Sequence, residues 1–227
     1  MKIDAGFGKV LADVQGGKLV IILDDKGRED EGDLFVAAEK VTPEAVNFMA
    51  THGRGLVCMP ITPKRADELG IKPMVPDKEN TEKERCTFAV SIDAKKGTTT
   101  GISAFDRALT IQKVMDSSAV GSDFRRPGHV FPLIARDGGL AVRQGHTEAA
   151  TDLARCAGLR AAGVICEIMN DDGTMAHGKE LEEFVRHHHL QIVRIADIIE
   201  YQLTCKNGGF GDMPKSNLIS SKMMKKG

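Results

Sequence analysis

Tryptophan does not occur in this sequence and tyrosine occurs once, so the chain is poorly supplied with the flat side chains on which single-stranded nucleic acid stacks. Neither charge is in surplus. The 31 Lys and Arg against 32 Asp and Glu leave a formal charge of -1, which gives no electrostatic footprint for nucleic acid or an anionic membrane. Long apolar runs are missing too. None approaches the roughly 20 residues of a membrane span, and the opening MKIDAGFGKV lacks the apolar stretch of a secretory signal. Cysteine is sparse and odd in number: Cys58, Cys86, Cys156, Cys166 and Cys205 lie far apart with no Cys-x-x-Cys pair. That argues against a zinc knuckle or a disulfide framework and predicts reduced thiols in a cytoplasmic protein.

What is present is enough apolar material for one large domain: 227 residues, 41% hydrophobic. Helix and strand signals alternate without a linker. Val10, Leu11 and Val14 predict a first helix closing near Gly16-Gly17, and residues 19–23 and 34–38 read as strands. Thr42-Pro43-Glu44 and Thr62-Pro63 are helix starts, each a capping hydroxyl followed by proline at the first helical position. Residues 55–61, 86–92, 130–135, 162–169 and 191–195 read as further strands. Helices are expected from Ser103 to about Met115, over 147–157, over 181–188 and briefly over 197–201. The fold class is therefore α+β: a single domain with a mixed β-sheet covered by helices, three-layer and α/β/α-like. Residues 1–206 are assigned to the domain and 207–227, rich in Gly, Ser and Lys, to a disordered tail. Residues 72–85, charged and proline-bearing, read as a mobile loop of the kind that forms lids.

Four stretches carry chemistry. Residues 24–33 (DDKGREDEGD) hold six carboxylates, Arg28 and two glycines directly after an apolar strand, a natural seat for a hard divalent cation; the alternative is a solvated turn. In Arg143-Gln144-Gly145-His146-Thr147-Glu148, a glycine and a capping threonine lead into a helix whose first N–H groups suit phosphate, with Arg143 as a cation beside them and His146 as a metal ligand, a proton carrier or a packing group. Arg125-Arg126-Pro127-Gly128-His129 places His129 at a strand entrance as a general acid or base, or forms a basic turn. Glu167 follows Cys166 in an apolar strand, where a carboxylate is paired, binds something or carries a raised pKa, unless it faces outward.

Together, RED-EGD, TTGISAxDR, RRPGHVFPL, RQGHTEA and GVICE-NDDGTMA resemble the 3,4-dihydroxy-2-butanone 4-phosphate synthase family of riboflavin biosynthesis, in order and spacing, over about residues 8–203. The resemblance implies conversion of D-ribulose 5-phosphate to L-3,4-dihydroxy-2-butanone 4-phosphate and formate. It implies Mg²⁺ as cofactor, with Mn²⁺ as a substitute, and a homodimer with active sites at the subunit interface. Carried over by position, Glu29 and His146 are the metal ligands. Arg28, Glu29, Asp33, Glu167 and the stretch Arg143, Gln144, Gly145, His146 and Thr147 bind substrate, and His129 and Glu167 are catalytic. Cys58, Thr100 and Ser103 match pocket-lining segments. The chemistry implied is a metal-chelated enediol, loss of water, skeletal rearrangement and release of C4 as formate.

Some positions depart from the family pattern. Gln144 stands where glycine is frequent, residues 79–86 replace a Gly/Ser-rich stretch, and His187-His188-His189 replaces a single histidine and reads as surface. The sequence ends before a fused GTP cyclohydrolase II domain, so a stand-alone enzyme is expected. Two rivals use the same groups: a Mg²⁺-dependent sugar-phosphate isomerase that stops at the enediol, and a non-catalytic sugar-phosphate sensor.

Overall fold

The computed structural model describes residues 5–25 and 27–207. In chain order these form α1 (Ala5–Gln15), β1 (Val20–Leu23), β2 (Gly32–Ala37), α2 (Pro43–Phe48), β3 (Cys58–Ile61), α3 (Pro63–Glu68) and β4 (Ile92–Ala94). There follow α4 (Ala104–Met115), β5 (Phe124–Ile134), α5 (His146–Cys156), β6 (Gly163–Glu167), α6 (Gly178–His188), β7 (Gln191–Arg194) and α7 (Ile195–Asn207). The strands make one mixed sheet in the order β4-β5-β3-β6-β2-β1-β7. β1 and β7 are parallel, as are β3 and β5, and the remaining neighbours are antiparallel.

Residues alternate sides along a strand, and both sides of this sheet are covered. On one side Ile21, Leu34, Val36, Met59 and Val164 pack with Val46 of α2, Ala66 of α3, Ile111 of α4 and Leu181 of α6. On the other, Val20, Ile22, Phe35, Ala37 and Ile165 pack with Val10 of α1, Leu153 of α5 and Ile198 of α7. This is the three-layer α/β/α arrangement expected from sequence. The helix starts form as their residues dictate: the hydroxyls of Thr42, Thr62 and Ser103 accept from the N–H of Ala45, Arg65 and Asp106 at 3.2, 3.2 and 3.0 Å.

Several expectations are corrected. Residues 86–91 do not form a continuous ladder strand. Phe88 bridges Leu133 of β5 and Ala89 bridges Pro73, with Ala89 N–H donating to Pro132 C=O at 2.9 Å, and the continuous ladder with β5 begins at Ile92. The strand expected from Gly55 starts only at Cys58, because residues 53–56 run against the end of β6 instead. Arg54 bridges Ile168, and Met169 N–H donates to Gly53 C=O at 2.9 Å. The short last helix expected over 197–201 is a longer one, Ile195–Asn207. From 208 onward the expected tail lies outside the described residues. No helix among the described residues is long and apolar enough to cross a membrane.

Candidate active site

β1 ends at Leu23, and the next side chain, Asp24, turns inward and is buried. A buried carboxylate must be paired. Asp24 Oδ1 accepts from Glu31 N–H at 3.0 Å, and Oδ2 accepts from Glu29 N–H at 3.2 Å and from Arg28 Nη1 at 2.8 Å. One carboxylate thereby folds the acidic loop around itself. Glu29 is then held between Arg28 Nη1 at 2.5 Å and His146 Nδ1 at 3.7 Å.

His146 opens α5, with Gly145 as the capping residue. Ligand atoms of Asp24, Glu29 and His146 all lie within 4.8 Å of one another. His146 is buried, and its Nε2 has no hydrogen-bond partner among the described residues. Two carboxylates and the His146 imidazole form a donor set that a divalent cation would complete.

The sheet supplies the opposite wall. Asp33 on β2 is the register partner of Glu167 on β6. Facing residues of an antiparallel pair project to the same side, so two carboxyls meet. Both share the parity of Phe35 and Ile165, the side covered by α5. Burial, with Glu167 and Glu29 adding to it and His146 opposing it, pushes the Asp33 carboxyl up to about 7. For His146, burial works against the charged ring but is outweighed by Asp33 and Glu29, and the ring rises to about 9. The nearby His146 ring is the main reason Glu29 lies below the usual carboxylate range, with Arg28 adding to it and burial opposing it. Glu167 Oε2 accepts from Leu56 N–H at 2.8 Å. The residue beside it is glycine for a reason: a Cβ at Gly55 would lie 2.4 Å from Glu167 Oε2 and 2.7 and 2.8 Å from its backbone O and N.

These groups border a cavity of about 170 Å³. Of the residues singled out in the sequence, Arg28, Glu29, Asp33, Cys58, Arg143, His146, Thr147 and Glu167 line it. Gln144 is exposed and Gly145 is not on the wall. Arg143 does not extend outward. Its Nη1 pairs with Glu148 at 2.5 Å and its Nε donates to Glu84 C=O at 3.0 Å. The segment read as a mobile lid lies over the cavity here: Glu82, Glu84 and Cys86 line it, and Arg28 Nε sits 3.3 Å from Glu84.

Three expected site residues fall elsewhere. His129, Thr100 and Ser103 are not on the cavity wall. His129 forms its own cluster, with Asp93 at 2.8 Å and Gly101 packed over the pair. Within the chain the sequence-derived site is thus split in two.

The sequence profile of 3,4-dihydroxy-2-butanone 4-phosphate synthase matches residues 8–201. The chain belongs to the 3,4-dihydroxy-2-butanone 4-phosphate synthase family. Within that family it is 59% identical over 197 residues to riboflavin biosynthesis protein RibBA of Aquifex aeolicus, covering 86% of this chain and 48% of that one. It is 50% identical over 194 residues to a 3,4-dihydroxy-2-butanone 4-phosphate synthase of Photobacterium phosphoreum, covering 86% and 53%. The chain spans about half the length of the curated relatives it matches. Among solved structures, a 3,4-dihydroxy-2-butanone 4-phosphate synthase in complex with two magnesium ions superposes with a TM-score of 0.82 at 40% identity, covering 88% of this chain and 98% of that one.

Sequence reasoning counted Asp24 and Glu31 in the acidic loop without assigning either to the site, and missed the lining acids Glu82 and Glu84. A signal for Asp24 existed: it is the first polar residue after a fully apolar strand, where the side chain is still inside. Glu82 and Glu84 had none, because only the path of the loop brings them back.

Proposed function

We propose that this chain is a Mg²⁺-dependent lyase that converts D-ribulose 5-phosphate into L-3,4-dihydroxy-2-butanone 4-phosphate and formate, a step of riboflavin biosynthesis. The observation that carries the reading is the meeting of Asp24, Glu29 and His146 beside the facing pair Asp33 and Glu167. The residues fit the ion: carboxylate oxygens suit a hard cation, and the buried His146 ring beside them offers a nitrogen donor already out of water. Mg²⁺ is the resident ion in this reading, with Mn²⁺ able to substitute. When bound, such an ion polarises a ketone and acidifies the adjacent carbon.

The chain's own groups supply the rest. Asp33, a carboxyl that burial makes more basic than usual, can take a proton and return it. Glu167, held by Leu56 N–H, faces it across the ladder as the second proton-handling group. Enediol formation, loss of water, rearrangement and release of C4 as formate each move protons, and this pair is placed to move them. The first turn of α5 provides N–H groups for the phosphate beside Arg143, whose guanidinium lines the cavity while paired with Glu148, so the non-reacting end of the sugar is what orients it. Glu82 to Cys86 screen the cavity from water.

A homodimer with sites at the subunit boundary accounts for the separate position of His129, Thr100 and Ser103. A second copy would bring this cluster to the cavity. Apolar side chains beside it support such a contact: Ile102 is 55% and Phe105 71% exposed. Five free cysteines suit a cytoplasmic location.

Incubation of the purified protein with ribulose 5-phosphate and Mg²⁺, with and without EDTA, tests the reading. One formate per sugar phosphate consumed, abolished by EDTA, is expected. Consumption without formate would make it an isomerase, and binding without turnover would make it a sensor.

A further inference from the structure

Asp93 occupies an unusual place in the sheet. β4 pairs with β5 through Ile92–Val130 and Asp93–Arg125, so the register jumps and residues 126–129 form an excursion with no partners on β4. His129 closes that excursion. Asp93 is 5% exposed, and both of its oxygens are committed to His129: Oδ1 accepts from the backbone N–H at 2.9 Å, and Oδ2 lies 2.8 Å from the ring Nδ1. Two glycines allow the arrangement. At Gly128 a Cβ would sit 2.1 Å from the carbonyl carbon of Ile92 and 2.4 Å from Asp93 N. At Gly101, where φ is +101°, a Cβ would sit 2.1 Å from Asp93 Oδ2 and 2.5 Å from His129 Nδ1. Gly128 N–H donates in turn to Ser91 Oγ at 3.1 Å.

A histidine that serves packing alone is enclosed. This one keeps 41% of its side chain exposed, and no hydrogen bond reaches its Nε2 among the described residues. The carboxylate oxygen accepts, so Nδ1 carries the hydrogen and Nε2 becomes the outward, reactive nitrogen. We propose that Asp93 is a positioning residue for the reaction, fixing the tautomer and direction of the His129 ring so that Nε2 meets the substrate. The proposal rests on the reading that His129 serves catalysis.

Asp93→Asn is the discriminating variant, because the amide keeps an oxygen for His129 N–H and replaces only the partner of the ring. With an amide nitrogen facing Nδ1 the ring takes the other tautomer, which removes its part in general acid–base catalysis, a contribution of about 10²–10⁴ in rate. The expected results are a kcat loss in that range, little change in KM, and a shift of the His129 ring ¹⁵N signals from the Nδ1–H to the Nε2–H pattern. The double variant with His129→Ala is expected to be no slower than His129→Ala alone. If His129→Ala is inactive but Asp93→Asn turns over like the parent, the positioning role is overturned while the reaction stands. If His129→Ala is itself fully active, the assignment of His129 to catalysis fails and Asp93 falls with it. The unsubstituted protein gives a readout that needs no folded variant: a His129 ring found as the Nε2–H tautomer overturns the proposal.

Discussion

Asp33 and His146 both hold their protons more firmly than free side chains do, and for one shared reason: too many carboxylates face too little water. Burial, with Glu167 and Glu29 adding to it, raises Asp33 to about 7. His146 reaches about 9 because Asp33 and Glu29 outweigh its desolvation. A divalent cation at Glu29 and His146 requires the deprotonated ring, so binding must expel protons. The sign follows. Below pH 7 both groups are protonated and Mg²⁺ affinity is lowest, and it rises as pH passes first about 7 and then about 9. Calorimetry at pH 7.5 in buffers of different ionisation enthalpy should therefore detect proton release on Mg²⁺ binding, and identical heats in all buffers would contradict it. A second residue-scale prediction concerns Gly55. Its Cβ would meet backbone atoms of Glu167 that cannot swing aside, so Gly55→Ala should displace Glu167 and lower kcat by about 10²-fold with Mg²⁺ affinity intact. Equal losses of metal binding and rate would count against that assignment. Glu29, His146 and Glu167 were legible in the sequence because each carries a polar group at a marked place: a glycine-broken loop, a helix start, an apolar strand. The grip of Leu56 N–H on Glu167 was not, since a backbone donor has no residue type to betray it.

At the scale of elements, caps and apolar periodicity read well because both are local. Thr42, Thr62 and Ser103 each start a helix where their hydroxyls predict one. Residues 86–91 read badly because alternation there arises from wrapping against β5 and the 72–74 segment, not from a continuous ladder. The segment before them was legible as a long loop. That it returns over the cavity through Glu84 and Arg28 depends on tertiary contacts that no local pattern encodes. α6 supports the acidic loop from beneath. Gly32 leaves room for Leu181, whose methyls would lie 2.8 and 3.0 Å from a Cβ there, and His177 Nδ1 lies 2.8 Å from Asp30 C=O. Leu181 is buried, so Leu181→Ala should cost about 2–5 kcal/mol in chemical denaturation. A loss under about 0.5 kcal/mol, the range of a surface substitution, would show that α6 does not anchor the loop.

On the scale of the whole molecule, the three-layer arrangement follows from strands that are apolar on both sides, which is why the fold class was readable. The site was less so, because sequence order cannot say which distant residues share one cavity. Glu29, Asp33, His146 and Glu167 gather at one cavity, while His129 stands apart with Asp93. In the proposed reading, in which His129 serves the same reaction, a second copy of the chain would bring it to the cavity. Co-expression of differently tagged Glu29→Ala and His129→Ala chains, with purification of the mixed dimer, tests this. One of its two sites would combine the intact halves, so about half the parental rate of formate release is predicted, although each variant alone is inactive. A mixed dimer as inactive as its parents would mean that each site draws on one chain, and the account of a shared site would be wrong.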